Sequence, residues 1–273
     1  MISALLSMWD YEFMRYAFLA GTIAAIISGM VGYFVIIRQL SFAAHALGHI
    51  GFAGASGALL LGLTPMTGQL ILTVLAAGGM GALGERISKS DMAIGVILSF
   101  CLGLGTLFLH IYNGYAGQAS IILFGNLLGV SLKDISLMFL LMLLCISAVL
   151  ILSRRLLFSS LEPELASAKG ISLSTISIVF LMIVAIAVTL ASQVVGVILV
   201  FTLVIGPPAI AVQLTHQFGS GMMLSILLSV LIVWASIVIS YFTDYPISFL
   251  ISAMVFFIYI LSVLQQRMMA ERV

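Results

Sequence analysis

Apolar residues run along this chain in nine long blocks, over about 16–37, 40–63, 68–84, 92–112, 135–152, 172–191, 193–214, 219–241 and 247–265, and the charged residues fall almost entirely between them. An α-helix needs roughly 20 apolar residues to cross about 30 Å of hydrocarbon. The pattern therefore predicts an all-α transmembrane bundle of eight or nine spans, one membrane domain over 1–273. Between the fourth and fifth blocks, residues 120–132 (SIILFGNLLGVSL) make a run of 13, too short to cross unaided. This segment is expected to be re-entrant or interfacial.

Composition agrees with the pattern and narrows the class. Hydrophobic residues make up 63% of the chain and charged residues 7%, where soluble domains carry about 25% charged residues. A mean hydropathy of +1.32 over the whole length excludes a soluble enzyme with a single anchor and a disordered chain. Membrane lipid is the expected surrounding. The net charge of +1 comes without a basic run, so nucleic acid is not an expected partner. Cys101 and Cys145 make no disulfide framework. Asp10 and Glu12 precede the first cation, Arg15, which is unlike a secretory signal; the first block is read as structure.

Orientation follows from the cations. Arg38, the 85–89 turn with Arg86 and Lys89, Arg154, Arg155, Lys169, Arg267 and Arg272 fall on one side, leaving Arg15 and Lys133 opposite, a division of eight to two. The richer side is expected to be cytoplasmic, with the N-terminus outside and the C-terminus inside.

The second block holds the most suggestive chemistry. Ala44, Gly48, Gly51, Ala55, Ala58 and Gly62 recur every three or four residues, a small-residue seam that lets helices approach closely and buries this span in the bundle. His45 and His49 stand four residues apart beside the seam, on one helix face. Counted from Arg38, they lie about 10 and 16 Å into the membrane. Ionisable groups at that depth face a bundle interior or a cavity, and paired imidazoles suit a divalent cation such as zinc. Hydrogen bonding to neighbouring helices is the alternative use of such a pair.

Elsewhere the signals are weaker. His110 ends the fourth block before the uncharged 113–115 loop, and His216 ends the seventh; both read as interfacial. Asp244, in the outer turn before the last block, either caps the helix that follows or lines a cation entrance. The 15 methionines read as packing residues. Gly206, Pro207 and Pro208 predict a broken helix, because each proline removes a donor and strands the carbonyls of Leu203 and Val204.

Residues 160–170 (SLEPELASAKG) read as a two-turn helix. Pro163 suits its first position, Glu162 and Glu164 its positive end, Lys169 its last turn and Gly170 a left-handed stop. Its form is that of a docking element on the cytoplasmic side. There is no P-loop, no H-E-x-x-H and no G-x-S-x-G in the chain, so neither ATP hydrolysis nor metallo- or serine hydrolysis is expected within it.

Four segments together are similar to the permease subunits of bacterial ABC importers for zinc and manganese. Residues 38–49 (RQLSFAAHALGH) resemble that family's R-R-M-S-(aromatic)-x-G-D-x-(L/I)-x-H stretch. Glu162, Pro163, Glu164, Ala166, Ala168 and Gly170 resemble its coupling element. Residues 124–131 (FGNLLGVS) resemble its L-F-G-x-(I/L)-L-x-V-S stretch, and 194–196 (VVG) through Pro207 its V-V-G…P stretch.

The resemblance implies a multi-pass protein of the bacterial inner membrane, working as a homodimer with two cytoplasmic ATPase subunits and an extracytoplasmic metal-binding protein. It implies no permanently bound cofactor; Zn2+ or Mn2+ is cargo, and ATP belongs to the partner subunit. It points to His45 and His49 as metal-path residues and to 162–170 as the ATPase contact; Asp244 and, more weakly, His110 join the expected metal path on the reading of the residues given above. Two positions depart from the family: His45 replaces a common Asp, and Gln39 a common Arg. Imidazole in place of carboxylate tilts the expectation towards zinc and away from manganese. The competing expectation, a self-sufficient secondary transporter or cation channel, needs a protonatable relay inside the membrane, and the blocks contain no Asp or Glu.

Overall fold

The computed structural model describes residues 8–82, 91–112, 116–170, 172–215 and 217–270, and every element among them is helical. A 3-10 turn (Met8–Asp10) leads into α1 (Glu12–Ile37), α2 (Ser41–Leu60), α3 (Pro65–Ala82), α4 (Asp91–Ile111) and α5 (Ala116–Phe124). A second 3-10 turn (Leu127–Gly129) is followed by α6 (Leu132–Leu161), α7 (Pro163–Ala168), α8 (Leu173–Leu214), α9 (Phe218–Thr243) and α10 (Ile247–Ala270). Six of the described helices, α1, α4, α6, α8, α9 and α10, are long and apolar enough to cross a membrane by length and composition. The 85–89 turn, the 113–115 loop, His216 and Arg272 lie outside the described residues.

Helices α1 and α8 form the centre and are buried at most positions, whereas α4 buries only Ile94 and Gly105. An apolar helix with so little of it covered by protein suits contact with lipid. Lipid supplies no hydrophobic drive between helices, so contact depends on small residues and interhelical hydrogen bonds. Both are present. Ile226 of α9 seats against Gly29 of α1, where Ser225 Oγ donates to Gly29 O at 2.7 Å. Gly54 of α2 meets Gly68 of α3, and the hydroxyls of Thr73 and Thr189 join α3 to α8 at 3.1 Å. The seam on α2 is buried as expected from Ala44 to Ala58. Gly62 is not part of it: with φ +68°, it lies beyond Leu61 and ends the helix.

A straight helix the length of α8 would measure about 63 Å, twice the hydrocarbon thickness. It is not straight. Val188 and Val200 both reach the Cβ position of Gly48, at 3.7 and 2.7 Å, although a straight helix would hold them about 18 Å apart. The chain folds back at Gly196, whose φ of 78° and ψ of 167° are the only non-helical values inside α8, into two arms that lie side by side.

The break expected at Gly206, Pro207 and Pro208 is therefore misplaced, since all three keep a helical backbone. Val204 O, stripped of its donor by Pro208, presses onto Gly32 of α1, where a Cβ would overlap it. Space on the neighbouring helix absorbs the proline defect without a break.

The 120–132 run resolves into the end of α5, a left-handed Gly125 (φ +79°), the second 3-10 turn and the cap of α6. Ser131 and Asp134 form a capping box there: Asp134 N donates to Ser131 Oγ at 3.3 Å, and Ser131 N to Asp134 Oδ2 at 3.2 Å. α6 then continues past the predicted end at 152 to Leu161, so Arg154 and Arg155 ride on the helix itself. Gly125 packs directly on Gly196; a Cβ at Gly125 would stand 2.7 Å from Gly196 N, and one at Gly196 would overlap Gly125 N.

Candidate metal path and coupling element

His45 and His49 occupy the second and third turns of α2, and the helix places their rings 4.6 Å apart, edge to face. Both are half-buried. The His45 ring also meets Phe201 on the second arm of α8 at 5.2 Å, so α8 shares in holding the pair. Phe42, Ile198 and Phe201 nearby keep exposed surface, and the imidazoles thus stand at an open face of the chain. Two nitrogen donors of this kind form half of a tetrahedral site. No third His, Cys, Asp or Glu joins them among the described residues.

Asp244 and His110 lie elsewhere. Asp244 does not cap the helix that follows; in left-handed conformation (φ +58°) it closes the preceding one, its N–H donating to Ser240 O at 2.9 Å. Pro246 holds the cap position of α10, its carbonyl accepting from Leu250 N at 3.2 Å, and Asp244 stands two residues further back. The exposed Asp244 lines a cavity of about 540 Å³ with Asn126, Ser240 and Tyr245. His110 is exposed in the last turn of α4.

The element at 162–170 has the local form its residues predict. Pro163 is the first residue of α7, Glu162 precedes it, Lys169 closes it with its ammonium 5.0 Å over the Phe158 ring, and Gly170 turns left-handed at φ +77°. Ala166 is fully buried and is the anchor, while Glu162, Pro163, Glu164 and Ala168 are exposed. Leu165, not singled out by the sequence, is 54% exposed.

Arg38 also gains a setting that no sequence rule supplies. Its Nη1 donates to Ser159 Oγ at 3.1 Å and its Nη2 to Ser177 Oγ at 3.2 Å, with the guanidinium 5.3 Å over the Phe180 ring. The Gly125 and Gly196 crossing is likewise nonlocal. The two family-like stretches around these glycines lie far apart in sequence and form one contact in space.

The sequence matches the ABC 3 transport family (ABC-3) over residues 10–266. The chain belongs to that family. As an ABC 3 protein it is a multi-pass permease of the bacterial plasma membrane and a transport component of an ABC system, which upholds the resemblance read from the four segments. The manganese transport system membrane protein MntC of Listeria innocua is 29% identical over 217 residues, covering 79% of this chain and 77% of that one. The high-affinity zinc uptake system membrane protein ZnuB of Haemophilus influenzae is 25% identical over 235 residues, covering 86% of this chain and 90% of that one. A chain of PsaBC from Streptococcus pneumoniae, solved in complex with Fab, superposes with a TM-score of 0.86 at 25% identity, covering 96% of this chain and 95% of its own.

Proposed function

We propose that this ABC 3 permease imports divalent metal ions, zinc in preference to manganese, along a path that passes the His45 and His49 imidazoles. The observation that carries the reading is the pair itself: two neutral-capable nitrogen donors on a buried helix, at an open face, in a family whose relatives here are named for manganese and for zinc. Imidazole favours zinc, and a carboxylate in its place would favour manganese. A site of few ligands suits transport, which requires release as well as capture. Two copies of the chain form the path, each offering its own pair at the open face. Two cytoplasmic ATPase chains seat on α7, and an extracytoplasmic binding protein delivers the ion near the Asp244 cavity. Nine crossings, with the two arms of α8 counted separately and the 116–130 segment dipping in from outside, match the eight-to-two division of cations.

The test is uptake by the reconstituted complex with zinc and manganese in competition. Uptake should stop when the ATPase is inactivated, which a secondary transporter or channel would survive. His49→Ala should sharply reduce uptake with the complex assembled, and His45→Asp should stay active while shifting preference towards manganese. Parental zinc transport by His45→Ala and His49→Ala alike would remove the pair from the path.

A further inference from the structure

Arg38 stands where three parts of the fold meet. Ser159 lies in the last turn of α6 and Ser177 in the second turn of α8, and these are the two roots from which α7 hangs. Arg38 itself closes α1, and α2 with its imidazoles begins three residues on. The intervening corner is tight. Gln39 is left-handed (φ +57°), its N–H donates to Ile36 O at 3.0 Å, and Leu40 N donates to Val35 O at 3.0 Å. A displaced Arg38 therefore turns the start of α2, because no slack loop lies between them to take up the motion.

On the other side, α7 is held to the bundle by buried Ala166 and by Lys169 over Phe158, with most of its surface exposed. A cavity of about 430 Å³, lined by Arg38, Gln39, Phe42, Asp91, Ser160 and Pro163, separates the head of α7 from the corner and leaves it room to shift. The guanidinium is a rigid planar fork, able to hold two acceptors in fixed directions, which a lysine cannot do.

We propose that Arg38 is a positioning residue that carries displacement of α7 to α2, and so to His45 and His49, by holding Ser159 and Ser177 at once. The inference rests on α7 being the ATPase seat. Its test uses the complete complex of permease, ATPase and binding protein in liposomes, in a background where Cys101 and Cys145 are alanine and Phe42→Cys reports on the first turn of α2. Locking the ATPase with a non-hydrolysable ATP analogue should change the rate at which a water-soluble maleimide labels position 42. Arg38→Lys, and separately the double variant Ser159→Ala with Ser177→Ala, should abolish that change and lower metal imported per ATP hydrolysed about tenfold, with assembly and hydrolysis retained.

A labelling response and transport ratio that persist in the double variant overturn the proposal, as does a parental rate that ignores nucleotide. The double variant removes only two hydroxyls, so it decides the matter even if Arg38→Lys fails to assemble. Ala168→Arg separates the two readings. If it uncouples transport while the Arg38 and serine variants do not, the link through Arg38 is wrong and the seat stands; if it leaves coupling intact, the seat itself is wrong.

Discussion

At Gly32 and Val204 two helices meet with no room for another atom. Gly32→Ala should therefore cost about 1–3 kcal/mol of stability, the usual price of overpacking, read as a lower thermal midpoint of the purified protein in detergent. Gly95→Ala on α4, where a Cβ meets nothing within 4 Å, should instead be neutral or stabilise by up to about 1 kcal/mol, since alanine is the better helix former. The sequence offers no way to tell these two glycines apart. What it does show at this scale is local: the imidazoles of His45 and His49 share a face because four residues make about one helical turn. The Phe201 ring against His45, and the serines that receive Arg38, come from far along the chain and follow from no spacing rule. The substitution His45→Asp remains the sharpest single-residue test of the metal, through its shift in preference rather than through loss.

Elements begin and end by rules that can be read locally, and α7 is the clearest case. Pro163 starts it and Gly170 stops it with a positive φ, as the residue types predict. Gly170→Asn, which tolerates that conformation, should retain transport, whereas Gly170→Val should uncouple ATP hydrolysis from uptake. Since a Cβ at Gly170 meets nothing within 4 Å, the difference isolates backbone strain of about 1–2 kcal/mol. Ser131→Ala, which removes the cap of α6, should lower stability by about 1 kcal/mol. Two other element boundaries were not legible. Charge at Arg154 and Arg155 suggested the end of the helix, but a helix can carry charge beyond its apolar run, and α6 continues to Leu161. Pro207 and Pro208 suggested a break because the proline rule counts only the helix that contains them. The cost fell on a carbonyl that α1 happened to accommodate, while the actual turn lay at Gly196, marked by a single glycine among many.

For the molecule as a whole, the class was readable because lipid imposes an apolar surface on every block, whereas the pairing of α1 with α9 and the fold-back of α8 depend on contacts between distant segments. Sidedness is directly testable. In a chain lacking Cys101 and Cys145, a cysteine at exposed Ala168 should react only from the cytoplasm and one at exposed Gly117 only from outside; labelling of position 168 from outside would invert the arrangement. The crossing of Gly125 and Gly196 carries a consequence of another sort. Gly196 occupies a region of backbone space that is essentially closed to other residues, and a side chain on either glycine strikes the backbone of the other. No sequence of single substitutions leads away from this pair through intermediates that keep the tip of α8 seated. The neighbouring loops are free to lengthen and diversify around it, but the segments on either side of the crossing have to descend together, and recombination that separates them will be tolerated only where both parents bring glycine to the junction.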